Sequence, residues 1–496
     1  MTCDNKTRRA AAWLAALGVA TLAACGGGEN GLDSSTTVTV GTPASIAVES
    51  AASYDDNRFG LISAKTLRGW IDNWSANKPA GISGKLVVLQ VAAGPSGRQY
   101  IKGDDSNVFV YLEGGWTEDR SNGVIKTSTM VLTGAKVDDL LARYAIDPRK
   151  DLVVCAQGSG NASNAMTQGR CWYTLRYWGV DARHVAVLNG GNQALGVDDG
   201  STWTSEHFTS AEVSPRLNKR VASVQDLGVD NTVLQATLED VINVLPLADH
   251  NVLDDGVFIW DARSLAQYSA GLRGATVNDI PANDASALAA SFQNNGSRQG
   301  HPRGALQLGY DQLIDSATGK YKSKADLAAL LAGGTTPSGQ GFTDGQLALL
   351  GNGKAYQKGD VVYTYCETAM RAMITAIASS VVLGLPTRVY DGSMIEWNSL
   401  TRTQDRSGNW LIPADSRWRT DVLSWYRLNP TPANVAPRTD ASIVPTIVDA
   451  YAANAGAAIA ADKTYLRAKI SSGSGSGSGS GGDSGTPSIP SNPCGG

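Results

Sequence analysis

The sequence predicts an α/β protein made of two similar domains, each a parallel β-sheet flanked by helices. Two stretches of the chain repeat the order strand, helix, strand, helix, strand, and this alternation indicates parallel strands joined by helical crossovers. The predicted strands are continuous apolar runs, as expected where helices cover both faces of a sheet. With 42% apolar and 18% charged residues among 496, the chain has enough apolar surface for such cores.

The elements follow the same order in both repeats. In the first, strands are predicted at residues 86–89, 152–156 and 184–188, and helices at 137–144 and 163–178. In the second, strands are predicted at 256–260, 360–365 and 387–390, and helices at 371–384 and at 323–332, which Ser323 caps. We therefore expect domains at 56–208 and 247–400, a linker at 209–246, and a C-terminal extension at 401–470 that includes the helix-like residues 441–465.

Both ends of the chain differ in composition from the middle. In residues 1–24, basic residues precede a short apolar run, which is typical of a secretory signal peptide and too short for a membrane span. Residues 25–55 are predicted to be a flexible tether, and the Ser/Gly-rich residues 471–496 a disordered tail.

The signal-like segment ends in the order Leu-Ala-Ala-Cys, with the cysteine at position 25. This order resembles the lipobox of bacterial lipoproteins, and the resemblance implies that Cys25 becomes the lipid-modified first residue after cleavage. It implies a lipid-anchored protein of the bacterial cell envelope, and Gly26 favours the outer membrane. The alternative is an ordinary secretory signal with an incidental cysteine.

Charge and residue usage exclude several classes of function. The net charge of −4 argues against a nucleic-acid-binding protein, which would carry a strong basic excess. The four histidines and six cysteines show no metal-binding spacing, so we expect no metal site and no cofactor. Six cysteines are also too few for a disulfide scaffold of this size.

The candidate site centres on Cys366. This cysteine directly follows a predicted buried strand and precedes a short loop that leads into a helix, which is where ligands bind in open parallel sheets. Loop N–H groups and the helix N-terminus favour an anion there, and they equally favour a thiolate nucleophile. Arg371 adds positive charge at the helix start. The alternative is that Cys366 is a small buried hydrophobe.

Motifs around this cysteine resemble those of the rhodanese family, the thiosulfate and mercaptopyruvate sulfurtransferases, in its tandem-domain form. They are Asp-Ala-Arg at 261–263, Gly-His-Pro-Arg-Gly-Ala at 300–305, the loop 366–371, and Tyr-Asp-Gly-Ser-Met-Ile-Glu-Trp at 390–397. The resemblance covers residues 60–400 and implies two rhodanese-like domains.

The resemblance implies a persulfide relay. Cys366 would attack a sulfane sulfur donor (thiosulfate, 3-mercaptopyruvate or a polysulfide) and pass the sulfur to a thiol or cyanide acceptor. Backbone N–H groups of the loop would stabilise the terminal sulfur. The loop residues are Glu367, Thr368, Ala369, Met370 and Arg371. Supporting roles would fall to Asp261, to Arg263 paired with a carboxylate, and to His301 as a structural hydrogen-bonding residue.

By the same resemblance, the first repeat is expected to be catalytically silent. Gln157 stands at the nucleophile position, and Gln90 replaces the aspartate that usually ends the family's first strand. Cys155 and Cys171 are expected to be packed core thiols.

Departures from the family pattern bear on the donor and on the alternatives. Glu367 is expected to repel a dianion such as thiosulfate, which favours a mercaptopyruvate-like or polysulfide donor. Ala369 would be strained if its position needs a positive φ, and Gln267 stands where an arginine is common. The four residues between Cys366 and Arg371 agree with the loop length of sulfurtransferases, and by this resemblance they disfavour a phosphatase, whose related loops are longer. The alternatives are a non-catalytic binding or scaffold lipoprotein and a thiol redox sensor.

Overall fold

Two five-stranded parallel sheets form the framework of the protein. The computed structural model describes residues 37–123, 126–197, 200–215, 218–269, 300–400, 416–418 and 455–472. The strands are β1 (Thr39–Val40), β2 (Gly60–Ile62), β3 (Leu86–Gln90), β4 (Tyr100–Ile101), β5 (Val108–Leu112), β6 (Glu118–Ser121), β7 (Lys126–Met130), β8 (Leu152–Ala156), β9 (Val185–Leu188), β10 (Phe208–Thr209), β11 (Val229–Asp230), β12 (Gln235–Ala236), β13 (Val257–Asp261), β14 (Leu306–Gln307), β15 (Val361–Tyr365) and β16 (Thr387–Tyr390).

Helices cover both sheets. They are α1 (Pro43–Ile46), α2 (Ala64–Asp72), α3 (Trp74–Asn77), α4 (Gly134–Arg143), α5 (Ala162–Tyr177), α6 (Leu238–Val244), α7 (Leu265–Ser269), α8 (Lys324–Leu331), α9 (Ala372–Ala376), α10 (Ser393–Leu400) and α11 (Ala457–Ser472). A π-helical turn, Ile377–Val382, continues α9. Within the described ranges, no helix combines the length and apolar character that a membrane crossing requires.

The two sheets have the same strand order, which confirms the prediction of two similar α/β units. The first half of the protein holds the sheet β2-β9-β8-β3-β5, and the second half holds β12-β16-β15-β13-β14. All neighbouring strands in both sheets are parallel. Strands β3 and β8 are buried along their whole length, because helices cover both faces of the first sheet.

The two halves pack against each other through helices α5 and α9. From Gln168 to Tyr177 every residue of α5 is buried, as expected for a helix that lies between its own sheet and a second half. Gly169 permits this close approach, since a Cβ atom built there would lie 2.6 Å from the Cβ of Met373 on α9. Consequently one hydrophobic core contains residues of both halves, among them Trp172 and Met373.

Short edge strands were not apparent in the sequence. The segment expected to be a linker, 209–246, contributes β12 to the edge of the second sheet, where Gln235 pairs with Val389. Part of the expected tether is also packed, because β1 pairs with β11 and the Val48 N–H donates to the Ser380 carbonyl at 2.8 Å. Strands of two residues carry no apolar run that would reveal them.

The C-terminal helix α11 packs on the first half. Asp462 forms an ion pair with Arg120 at 2.8 Å and accepts a hydrogen bond from the Tyr177 hydroxyl at 2.7 Å. Arg467 lies 2.9 Å from Asp230. The sequence predicted helical character at 441–465, of which 441–454 lies outside the described residues.

A disulfide joins Cys155 on β8 to Cys171 on α5, with their Cα atoms 6.0 Å apart. The expectation that both are free core thiols is therefore wrong, although both are fully buried. The bond forms because β8 and α5 pack face to face, which brings the two cysteines within bonding distance. No local sequence pattern predicts this packing, so the pairing could not be predicted from the sequence.

We expect removal of this disulfide to lower the free energy of unfolding by about 3 kcal/mol, because the bridge closes a short loop in the unfolded chain. The comparison is chemical denaturation of the wild type and of Cys155→Ala/Cys171→Ala, each with and without reductant. Reductant should destabilise only the wild type, and an equal response of both proteins would contradict the assignment.

Candidate functional site

Cys366 lies at the carboxyl end of β15, where the chain turns towards α9. Its side chain is fully buried, and it is a free thiol. The start of α10 fixes the beginning of the loop, because the Met394 N–H donates to the Cys366 carbonyl at 3.1 Å and the Ile395 N–H to the Glu367 carbonyl at 3.0 Å. The structure therefore brings the predicted cysteine loop and the 390–397 motif together.

Ala369, in the middle of the loop, has a φ of 58° and is buried. This confirms that the position requires the left-handed region, which costs a residue with a Cβ about 1–2 kcal/mol. Strain of this kind persists only where the surroundings hold the backbone, and it is frequent at functional sites.

Arg371 is held at the end of the loop by Gln267. Its Nη1 donates to the Gln267 Oε1 at 2.6 Å. Gln267 therefore positions the Arg371 guanidinium. This contact places a guanidinium, which suits a carboxylate or another anion, beside the cysteine loop.

Tyr310 is a further residue of the site that the sequence analysis missed. Burial raises the pKa of Tyr310, the Arg371 guanidinium opposes this shift, and Asp311 and Cys366 add to it. The turn that contains Tyr310 packs against α9, the helix that follows the cysteine loop. Tyr310 follows the short strand β14 and belongs to no motif, so the sequence carries no signal for it.

Glu367 and the Asp-Ala-Arg motif form a buried cluster around Arg263. Arg263 Nε lies 2.9 Å from Asp261 Oδ1, its Nη2 lies 2.6 Å from Asp261 Oδ2, and its Nη1 lies 3.6 Å from Glu367 Oε2. The pairing of Arg263 with a carboxylate agrees with the expectation from the sequence. Burial by itself would lower the pKa of Arg263, but Asp261, Tyr365 and Glu367 raise it above its usual range.

This cluster changes the expected role of Glu367. The sequence suggested a carboxylate that repels a dianionic donor, but Glu367 is 5% exposed and its charge faces the Arg263 guanidinium. Arg263 offsets only part of this charge, because the same guanidinium also pairs with both oxygens of Asp261. The expected repulsion of thiosulfate by Glu367 is therefore reduced but not removed.

His301 lies in a separate buried contact beneath the second sheet. Its Nδ1 is 2.8 Å from the Tyr268 carbonyl and its Nε2 is 3.0 Å from Asp249 Oδ2. Both partners offer acceptor oxygens, which suits a protonated imidazole that donates from both ring nitrogens. Burial opposes this charge, but Asp249 outweighs it and raises the pKa of His301. These contacts fit the structural role expected for His301.

The first half contains the counterpart of this site, and a turn of the second half fills it. Gln157 directly follows β8, as Cys366 follows β15. The Gln157 amide donates to the Gly319 carbonyl at 2.9 Å, and the Gly191 N–H donates to the Thr318 carbonyl at 2.8 Å. A Cβ atom on Gly319 would lie 2.0 Å from Gln157 Oε1, so the turn sits directly on the glutamine.

Across the described ranges, no three His, Cys, Asp or Glu side chains form a group that could hold a metal ion. Met370 and Thr368 belong to the loop, with Met370 half-buried. Cys25 lies outside the described residues.

The His301 contact predicts a specific pH dependence of stability. The pKa of His301 is raised, so its contribution is complete below the unfolded value of about 6.5 and is lost as the pH rises through the folded value. The pKa of Asp249 is lowered, so its contribution is complete above about 3.9 and is lost as the pH falls further.

We therefore expect the free energy of unfolding of the wild type to exceed that of His301→Gln most strongly between about pH 4 and 6.5. Denaturation across pH 4 to 9 measures the difference. Asp249→Asn should remove the same pH-dependent part. A difference that stays constant across this range would contradict the charged contact.

Neither a protein-family model nor a curated protein sequence matches the chain.

Among solved structures, the chain is similar to Tum1 of Saccharomyces cerevisiae. The two share 16% identity over 77% of this chain and 100% of Tum1, with a TM-score of 0.42. It is similar to SseA of Escherichia coli, described as a 3-mercaptopyruvate sulfotransferase with the rhodanese fold, with 17% identity over 68% and 98% of the two chains and a TM-score of 0.39. It is also similar to the anaerobic ergothioneine biosynthesis enzyme of Chlorobium limicola, with 13% identity over 71% and 69% and a TM-score of 0.44. The α/β assignment of this chain rests on its own two parallel sheets.

Proposed function

We propose that the protein is a sulfurtransferase in which Cys366 carries sulfane sulfur as a persulfide. The observation that carries this proposal is a free thiol at the carboxyl end of a parallel strand, in a loop strained at Ala369 and followed by Arg371. In the proposed reaction, loop N–H groups and the start of a helix stabilise the terminal anionic sulfur of the persulfide.

The reaction consists of two displacements at sulfur. The Cys366 thiolate attacks the transferable sulfur of the donor and becomes Cys–S–S⁻. The bond between that sulfur and the rest of the donor breaks, and its electron pair leaves with the remnant, which is sulfite, a shortened polysulfide, or a pyruvate enolate that takes up the thiol proton. An acceptor thiolate or cyanide then attacks the terminal sulfur and regenerates the Cys366 thiolate. Both half-reactions balance without a further oxidant or reductant.

Arg371 is the group that we assign to donor binding. Its guanidinium is fixed by Gln267 at the end of the cysteine loop, so it can pair with the carboxylate of a 3-mercaptopyruvate-like donor. A polysulfide presents an anionic end to the same group. Thiosulfate is retained as a third donor, since Arg263 reduces the repulsion that Glu367 would exert on it.

The complete burial of Cys366 favours one other candidate, a non-catalytic binding or scaffold protein of the same fold. A donor has to reach the thiol for transfer, whereas a scaffold has no such requirement. A redox-sensing thiol needs access to an oxidant in the same way that the enzyme needs access to its donor.

We expect Cys366→Ser to abolish sulfur transfer. The assay offers thiosulfate, 3-mercaptopyruvate and polysulfide in turn with cyanide and measures thiocyanate, and mass spectrometry tests for one added sulfur atom on the Cys366 peptide. The control is Cys494→Ser, which changes a cysteine in the Ser/Gly-rich C-terminal segment 471–496 and should keep full activity. If no donor yields thiocyanate, the result would favour the non-catalytic scaffold protein. If Cys366→Ser keeps full activity, the result would contradict the assignment of Cys366 as the nucleophile.

We also propose that the protein is anchored by lipid at Cys25 in the cell envelope, facing an oxidising compartment. The buried Cys155–Cys171 disulfide supports this location, because such bonds persist mainly outside the reducing cytosol. Cys25→Ser should move the protein from the membrane fraction to the soluble fraction. Cys494→Ser, the control, should leave the protein in the membrane fraction. Retention of Cys25→Ser in the membrane fraction would contradict the anchor.

A further inference from the structure

The first half of the protein reaches the cysteine loop of the second half through strand β7. The Thr129 hydroxyl donates to the Thr368 carbonyl at 2.8 Å. Thr129 has a φ of 61°, which is rare for a β-branched residue and persists only where neighbouring structure imposes it. The strained backbone therefore coincides with a contact to the loop that holds Cys366.

A second residue of the first half reaches the same carbonyl. Arg170, on α5, is fully buried, and its Nη2 lies 3.4 Å from the Thr368 carbonyl oxygen. Its Nη1 lies 2.6 Å from Asp391 Oδ1, and the other oxygen of Asp391 accepts the Val131 N–H at 2.8 Å. Two donors of one half thus converge on a single carbonyl of the other.

The planarity of the peptide group gives these contacts a consequence for the loop. In a trans peptide the C=O and the following N–H point in opposite directions. When the Thr368 carbonyl is held towards the first half, the Ala369 N–H is held away from it, on the other side of the loop backbone. The orientation of that N–H is therefore set by residues outside the domain that carries Cys366.

We propose that Thr129, assisted by Arg170, is a positioning residue that aims the Ala369 N–H at the sulfur carried by Cys366. This inference rests on the proposed persulfide chemistry. The first half, which has Gln157 at the counterpart of Cys366, would then contribute to the reaction. The Ala369 N–H, which stabilises the terminal sulfur, is oriented only when both halves are packed together. Thr129 itself does not touch the reacting atoms.

The test compares three variants of the full chain. Thr129→Val removes the hydroxyl and keeps the shape, Thr129→Ser keeps the hydroxyl, and Thr127→Val is a matched control on the same strand. Thr127 is buried, and its hydroxyl has no hydrogen-bond partner among the described residues. Melting temperatures of all variants establish that the fold is retained.

With the donor that gives the highest activity, Thr129→Val is expected to lower kcat about tenfold and to leave KM unchanged. This is the expected effect when the Ala369 N–H no longer donates a hydrogen bond to the terminal sulfur in the reacting state. Thr129→Ser should restore kcat, and Thr127→Val should match the wild type. Wild-type kcat in Thr129→Val, a rise in KM alone, or an equal loss in Thr127→Val would overturn the inference. Absence of a persulfide in the wild type would instead overturn the proposed function.

Discussion

A fully buried ion pair between Arg170 and Asp391 joins the two halves of the protein beside the reactive loop. Removing two charges from water costs several kcal/mol for each ion, so either charge alone would be strongly unfavourable in this interior. Arg170 belongs to the helix at the centre of the interface, and Asp391 lies between β16 and α10. Because α10 also holds the first carbonyls of the cysteine loop, the packing of the halves and the shape of the loop depend on the same contact.

The contacts between the halves are reciprocal. A hairpin strand of the first half donates to the loop of Cys366, and a turn of the second half lies on Gln157, its counterpart. Such symmetry follows from two similar sheets that pack through equivalent helices. The two positions differ in the side chain that they carry. Cys366 has a thiol, whereas Gln157 has an amide that donates a hydrogen bond to the turn that covers it.

Long buried elements could be predicted from the sequence, and contacts between distant segments could not. The strands at 152–156 and 387–390 match the structure because continuous apolar runs with polar borders define them. The edge strand β12 and the π-helical turn after α9 carry no comparable pattern. At the site, the sequence identified the loop and Arg263, whereas Tyr310, Thr129 and the compensation of Glu367 depend on residues brought together by tertiary packing.

The neutral side chain of Gln157 suits a position near the Cys155–Cys171 disulfide. Cys155 lies two residues before Gln157 on the same strand, and its partner Cys171 directly follows Arg170 on α5. A thiolate at position 157 would stand close to a disulfide that it could attack by exchange. Gln157 instead occupies the position with neutral hydrogen bonds and leaves the disulfide intact. The bonded helix then holds Arg170 against Asp391, so the disulfide of the first half contributes to the rigid support of the cysteine loop in the second half.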